Sequence, residues 1–465
     1  MSQVVSAESK RAALLVATLS SFLTPFAASS VNIALPTIGQ QLAMDAVSLS
    51  WVAMAYSLAS ATFLVPLGKL ADIHGRKKVF LYGMTVFTVA SLCLGFATSQ
   101  AMLIAFRVVQ GIGSAMLFGT GVSILTSVYP AGERGKALGI NVAAVYLGGS
   151  CGPFLGGLLT QYLGWRSVFF AYVPLCLVVI VSALLKLTGE WAGAKGERFD
   201  LVGSLVYSLT LLSTMYGFLM LPAASSLGLI LVGVVGLVLF VWWETKVESP
   251  VLDVNVFRRS KVFVFSNLAA LFSYSATMAP GFLLSLYLQY VKGLSPQAAG
   301  LVMVSQPLVQ AVFSPLAGRL SDRIEPRIVA SLGMMVTTVG LAWFVLLEAG
   351  TGMALIVANL VLLGFGFALF SSPNTNAIMS SVEKRFYGVA SATLATMRLT
   401  GQMFSMGIAT LIIGTYVGHV EIVPANYPLL VQSTKAAFVV FTVLCGAGVF
   451  ASLTRGNVQA EAVAG

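Results

Sequence analysis

The residues of this chain that could do chemistry are few, and their pattern does not suit catalysis. Residues 148–152 read Gly-Gly-Ser-Cys-Gly, which fits the G-x-S-x-G pattern of a hydrolase nucleophile. That pattern needs a strand before the serine and a histidine partner, and both histidines, His74 and His419, fall in predicted loops. The four cysteines lie singly in apolar runs, without metal-ligand spacing. We therefore predict no catalytic residue, no metal site and no cofactor.

Two arginines, Arg107 and Arg398, lie inside long apolar runs. An arginine in a membrane helix is costly unless it faces protein or water, so both are candidate functional residues. Gln110 follows Arg107 by three residues, on the same helix face. The alternative for Arg107 is a structural role, as a hydrogen-bond hub that holds the first and fourth helices together.

The elements that must position these residues are membrane helices. The chain is 58% hydrophobic and 9% charged, whereas soluble domains carry about 25% charged residues. A spanning helix needs about 20 apolar residues. The sequence divides into such runs at 12–36, 50–70, 78–98, 101–128, 137–160, 166–188, 201–220, 226–243, 262–290, 297–319, 327–347, 352–378, 388–416 and 434–454.

These runs predict an all-α membrane protein with fourteen transmembrane helices arranged as 6 + 2 + 6. We expect an N-terminal six-helix bundle at 1–190, an inserted two-helix linker at 191–260 and a C-terminal six-helix bundle at 261–465. The two bundles are expected to be pseudo-symmetric, because loop motifs of the first half recur in the second.

The net charge of +10 is explained by topology. With the N-terminus in the cytoplasm, all but five of the 26 Lys and Arg fall on the cytoplasmic side, the exceptions being Arg166, Lys292 and Lys435 outside and Arg107 and Arg398 within helices. We predict a multi-pass protein of the cell membrane with both termini cytoplasmic, in contact with lipids, and we predict no nucleic-acid partner. The expected oligomeric state is a monomer.

The most specific motif is the polar loop at 68–78, Gly-Lys-Leu-Ala-Asp-Ile-His-Gly-Arg-Lys-Lys. Gly68 and Gly75 allow close packing, and Asp72 can accept a hydrogen bond from Arg76 or lie against a helix N-terminus. The loop resembles the signature between the second and third helices of the major facilitator superfamily, the MFS. In that family the contact of this aspartate with a helix N-terminus of the other half latches the two halves on the cytoplasmic side when the cavity opens outward.

A second copy of this loop begins at Gly318 and carries Asp322. It departs from the pattern, since Glu325 and Pro326 stand where Gly75 and Arg76 stand in the first copy. We therefore expect Asp72 to matter more to the conformational gate than Asp322.

A glycine motif in the fifth run consists of Gly148, Gly152 and Gly156 at four-residue spacing, with Pro153 and Gly157. Small residues at this spacing let another helix approach closely. The motif also resembles G-x-x-x-G-P-x-x-G-G in the fifth helix of superfamily antiporters, which favours export over uptake. Tight helix packing without a role in export is the alternative.

The resemblance extends over almost the whole chain and is strongest to the fourteen-helix drug:proton antiporters. It implies secondary active export of small hydrophobic or amphiphilic compounds by alternating access. The polar residues that the resemblance places in a central cavity are Thr24, Ser29, Asn32, Arg107, Gln110, Asn267, Tyr274, Thr277 and Asn374. Arg398 is a further candidate for substrate binding or coupling.

One departure bears on the driving force. The resembling family usually has an aspartate five residues before the first-helix asparagine, and this chain has Ala27 there. No acid is predicted at mid-membrane, so the expected cavity is neutral to cationic and favours neutral, zwitterionic or anionic amphiphiles. Proton antiport and gradient-driven facilitation both remain open, as does a lipid or amphiphile translocator on the same fold. A non-transporting receptor would need an extramembrane domain that the sequence lacks.

Overall fold

The computed structural model describes residues 7–129, 131–220, 224–252, 260–321, 323–382, 387–418 and 420–456. We number the crossings in chain order. The first half contains α1 (Ala7–Leu42), α2 (Ala46–His74), α3 (Arg76–Gly95), α4 (Gln100–Val128), α5 (Ala131–Leu163) and α6 (Arg166–Phe170 with Tyr172–Lys186). The inserted pair is α7 (Leu201–Leu219) and α8 (Ala224–Glu244). The second half contains α9 (Lys261–Thr277, Ala279–Leu286 and Tyr287–Val291), α10 (Pro296–Met303 with Ser305–Ser321), α11 (Pro326–Phe344), α12 (Met353–Ser380), α13 (Tyr387–Tyr416) and α14 (Tyr427–Thr454).

The predicted fold class is confirmed. Thirteen helices in the described part are long and apolar enough to cross a membrane, and α13, a helix of 30 residues, occupies the remaining predicted span. No strand occurs in the described ranges. The chain is thus an all-α, multi-pass membrane protein, as expected where each backbone polar group must be satisfied inside its own helix.

Two helices differ from the predicted spans in extent or continuity. The first run was expected to end at Pro36, but α1 continues to Leu42. Proline removes one backbone hydrogen bond but is tolerated in membrane helices when neighbouring side chains satisfy the freed carbonyl. Conversely, α9 was expected as one helix but is interrupted at Met278 and ends in a π-helical turn, Tyr287–Val291.

The connections define two ends of the bundle. We call the end with the 68–78 loop and the connector after α6 the basic end, because most of the lysines and arginines gather there. The other is called the opposite end. The positive-inside rule predicts that the basic end faces the cytoplasm.

The inserted hairpin lies against both halves. Helix α7 packs on α2 and on α13, and α8 packs on α7. Tyr207 of α7 is within 3.4 Å of the Ala61 carbonyl oxygen on α2 and 3.5 Å of Thr396 Oγ1 on α13. Helix α7 therefore covers one seam between the halves.

Candidate functional site

A cavity of about 910 Å³ lies between the two halves, in the part of the bundle toward the basic end. Its walls come from α1, α4 and α5 on one side and from α10, α12 and α13 on the other. Most of the lining is aliphatic or aromatic. The polar side chains are Ser20, Ser21, Thr24, Asn141, Tyr146, Ser314, Ser371, Ser372, Thr375, Asn376 and Arg398.

Arg398 supplies the charge of the cavity lining. It is the one charged residue among the described residues that line the cavity, and the described lining contains no carboxylate. Its guanidinium stacks on the Tyr274 ring at 5.0 Å, and Nε has no hydrogen-bond partner. Cation–π contact stabilises a guanidinium that is partly removed from water, without neutralising its charge. The arrangement can therefore attract an anionic group.

At the opposite end the seam between the halves is closed. Three side chains of α9 donate to backbone carbonyls of α1: Ser285 Oγ to Asn32 at 2.7 Å, Gln289 Nε2 to Ile33 at 3.0 Å and Tyr290 OH to Pro36 at 3.3 Å. A further bond joins Thr410 Oγ1 of α13 to Ser50 Oγ of α2 at 2.8 Å. The cavity is therefore sealed from this end.

Two prolines each leave a backbone carbonyl, four residues earlier, free to accept a hydrogen bond from another helix. Pro36 has no backbone N–H, so the Asn32 carbonyl four residues earlier loses its partner within α1 and accepts from Ser285. In the same way Pro66 frees the Thr62 carbonyl of α2, which accepts from Ser208 Oγ of α7 at 3.1 Å. Each proline thus creates an acceptor for a neighbouring helix.

The fifth-helix glycine motif serves two interfaces. A Cβ at Gly148, Gly152 or Gly156 would collide with residues 22, 29 or 30 of α1, so these three glycines allow α1 and α5 to pack closely. Pro153 and Gly157 point toward the other half instead. A Cβ at Gly157 would lie 2.5 Å from the Pro296 carbonyl oxygen at the start of α10.

Arg107 lies outside the cavity, in a buried polar network. Only 1% of its surface is exposed, and it donates from Nε to the Val52 carbonyl at 2.9 Å and from Nη1 to Gln110 Oε1 at 2.7 Å. The Tyr56 ring covers the guanidinium at 4.5 Å. Gln110 continues the network to Ser91 of α3 at 2.8 Å. These contacts favour the structural alternative, although the helices joined are mainly α2, α3 and α4.

The asparagines expected in the cavity do not line it in this conformation. Asn32 lies in the closed seam, 7% exposed, and Asn267 donates to the Phe263 carbonyl of its own helix at 2.9 Å. Asn374 accepts from Arg455 Nη1 at 3.0 Å and donates to the Ser266 carbonyl at 3.1 Å. The rotation of each helix places Asn32 and Asn374 at contacts between helices, while Asn267 bonds within its own helix.

Arg455 was not singled out from the sequence. It follows α14 directly and is fully buried, and it ties that helix to α12 through Asn374 and to α9 through Ser266 Oγ at 3.3 Å. Burial lowers the pKa of Arg455 to about 10, so the guanidinium stays charged at physiological pH. The sequence feature that could have identified Arg455 is its position, a charged residue directly after the last apolar run.

The signature loop has the geometry expected from its residue types. Asp72 Oδ1 accepts from Arg76 Nε at 2.8 Å, and Arg76 Nη1 reaches Ser127 Oγ of α4 at 2.7 Å. Gly68 packs against Gly119 of α4, where an added Cβ would lie 3.2 Å from the Gly68 Cα. Gly75 has φ of +118°, a conformation that disfavours any side chain. Asp322 lies outside the described residues.

The connector after α6 is bound to the signature loop, a contact the sequence did not reveal. Arg76 N donates to the Trp191 carbonyl and Ala194 N to the Asp72 carbonyl, each at 2.9 Å. Lys69 pairs with Glu197 at 2.7 Å. The connector therefore holds the loop from its solvent side.

Comparison with known proteins agrees with this architecture. A sequence model of the Major Facilitator Superfamily matches residues 17–266 and again 266–463. The chain belongs to the major facilitator superfamily and is a multi-pass membrane transporter.

Among curated relatives, the riboflavin transporter RibZ of Clostridioides difficile (strain 630) is 30% identical over 85% of this chain and 86% of its own length. The cephamycin export protein CmcT of Amycolatopsis lactamdurans is 34% identical over 87% of this chain and 85% of its own. A bacterial homologue of the human lysosomal transporter Spinster, solved in an inward-facing and unoccupied conformation, superposes with a TM-score of 0.68 at 17% identity over 97% of both chains. That structural likeness extends to the fold alone.

Proposed function

We propose that this transporter exports small hydrophobic or amphiphilic compounds that are neutral, zwitterionic or anionic. The carrying observation is the cavity lining, which combines aliphatic walls, hydroxyl and amide groups and the single guanidinium of Arg398. Apolar walls with a few polar groups suit amphiphiles, and an uncompensated cation disfavours cationic ones. The export protein among the relatives and the resemblance to antiporters support outward transport over uptake.

The proposed mechanism is alternating access by rocking of two bundles, residues 1–190 and 261–465, about the cavity. With the basic end in the cytoplasm, the closed seam at α1 and α9 corresponds to an inward-facing state. In the outward-facing state the seam opens and Asp72 latches to the basic end of α13, near Tyr387.

Arg398→Gln tests the substrate class. We expect it to weaken binding of an anionic amphiphile, anilinonaphthalene sulfonate, by about tenfold, the loss of one charged contact, and to leave riboflavin, a neutral compound, unchanged. The measurement is fluorescence binding to protein in detergent, with ethidium as the cationic probe. Arg319→Gln, which removes an exposed arginine outside the cavity, is the matched control.

Equal weakening by both variants, or tight ethidium binding by the wild type, would contradict the proposed charge preference. Proton coupling is tested separately in proteoliposomes that carry an internal pH dye. We propose coupled proton movement upon substrate addition, as in the resembling antiporters, and transport without a pH change would indicate facilitation.

A further inference from the structure

Two carboxylates meet at the basic end of the inserted hairpin, away from the cavity. Asp200 precedes α7 and is 8% exposed, and Glu244 ends α8 and is 2% exposed. Buried acids are rare unless their oxygens are paired, so their contacts decide what they do.

Hydrogen bonds satisfy three of the four carboxylate oxygens. Asp200 Oδ1 accepts from Gly203 N at 2.8 Å, and Trp243 Nε1 lies 3.1 Å from Oδ1 and 3.0 Å from Oδ2. Glu244 Oε2 accepts from Leu252 N at 2.8 Å. Glu244 Oε1 is buried and has no partner.

The unpartnered oxygen lies beside the other acid, over Gly203. A Cβ added to Gly203 would touch Asp200 Oδ2 and would lie 2.6 Å from Glu244 Oε1, so both oxygens converge over the same glycine. Lys69 of α2 is a cation whose charge acts on Glu244, and it is already paired with Glu197 at 2.7 Å. Two carboxylates in this position cannot both carry a charge without strong repulsion.

We propose that Asp200 and Glu244 together bind a single proton, held between Glu244 Oε1 and Asp200 Oδ2, and that this proton keeps the hairpin base closed. A proton on Glu244 Oε1 donates to Asp200 Oδ2, which satisfies the last oxygen and leaves one negative charge on the pair. The site senses the proton concentration at the basic end.

The pair is connected to the signature loop through the connector. Glu197, three residues before Asp200, binds Lys69 of the loop, and Ala194 N donates to the Asp72 carbonyl. As the pH rises and the proton is lost, the second charge repels the first and draws in water, so the hairpin base opens and the connector releases the loop. The effect on transport rests on the proposed function, whereas the proton site does not.

Infrared spectroscopy of the purified protein tests the site without any substrate. We expect the wild type to show a protonated carboxyl band that disappears as the pH is raised. Glu244→Gln and Asp200→Asn are expected to lack the band and still fold, since each amide oxygen can accept from the same backbone N–H and each amide NH2 can donate to the remaining carboxylate. Asp45→Asn is the control. Asp45 caps α2, where it accepts from Ser48 N at 2.8 Å and is not paired with a second carboxylate, so this variant should keep the band.

A band that persists in both amide variants, or is absent from the wild type, overturns the proton site whether or not the protein transports anything. The link to the loop is tested by substrate exchange in proteoliposomes with equal pH on both sides. We expect the wild-type rate to fall as this pH rises and the Glu244→Gln rate to stay at the acidic value. An unchanged pH profile in Glu244→Gln would refute the link.

Discussion

At the scale of single residues, the two membrane arginines have different surroundings and hence different roles. Arg107 uses its guanidinium to bind a backbone carbonyl, Gln110 and the Tyr56 ring, all within the first half. Arg398 faces the cavity and keeps donor capacity free. We therefore infer that Arg107 stabilises the first bundle, and we propose that Arg398, which lines the cavity, meets the substrate.

Arg107→Lys is expected to lower the free energy of unfolding by about 2 kcal/mol, because an ammonium cannot make both hydrogen bonds at once. Thermal unfolding in detergent measures this, with the exposed Arg319→Lys as control. If Arg107 bound substrate instead, the lysine variant would lose affinity at unchanged stability, and the structural role would be wrong.

At the scale of helices, the polar contacts of the inserted hairpin favour the first half, although Met215 and Phe218 of α7 also pack on Met403 and Phe404 of α13. Helix α7 is joined to α2 by the Ser208 bond and by packing of Tyr207 with Val65, and its connector binds the signature loop. Toward α13 its polar contact is Tyr207 with Thr396 at 3.5 Å. We infer that α7 moves with the first half while α13 slides past it.

Cross-linking tests this attachment in a background without the four native cysteines. Cysteines at Tyr207 and Val65 are expected to form a cross-link that leaves transport intact, since both positions move together. Cysteines at Tyr207 and Thr396 should block transport until a reductant is added. If both cross-links block equally, α7 does not travel with the first half.

Sequence reasoning located helices better than it located their faces. Apolar runs and the signature loop predicted the spans, and arginine in an apolar run identified Arg107 and Arg398. The cavity positions expected for Asn267 and Asn374 depended on helix rotation, which only packing decides. Asp200 and Glu244 are brought together by the hairpin although they lie 44 positions apart in the sequence (244 − 200), so no local pattern could pair them.

At the scale of the whole molecule, the predicted orientation follows from the basic end. Most of the described lysines and arginines lie there, as does the connector after α6. Cytoplasmic placement of this end makes both termini cytoplasmic and the observed cavity inward-facing. If the basic end faced the outside instead, the same cavity would open to the outside.

Cysteine labelling distinguishes these two orientations. A single cysteine at Ser225, exposed at the opposite end of α8, should react with an impermeant maleimide added to intact cells. One at Lys195, exposed in the connector, should react only after permeabilisation. Ser226, the next residue in α8, is fully buried and is therefore unsuitable for labelling. Reaction of both positions from one side would contradict the topology.

The acceptor that Pro36 creates has a consequence for how the seam opens. While the halves are together, the Asn32 carbonyl is satisfied by Ser285, and nothing in its own helix can replace that bond. When α9 moves away, the carbonyl must find another donor, and in an opening crevice that donor is water. In the proposed outward transition, hydration of α1 at this point therefore accompanies the opening of the seam.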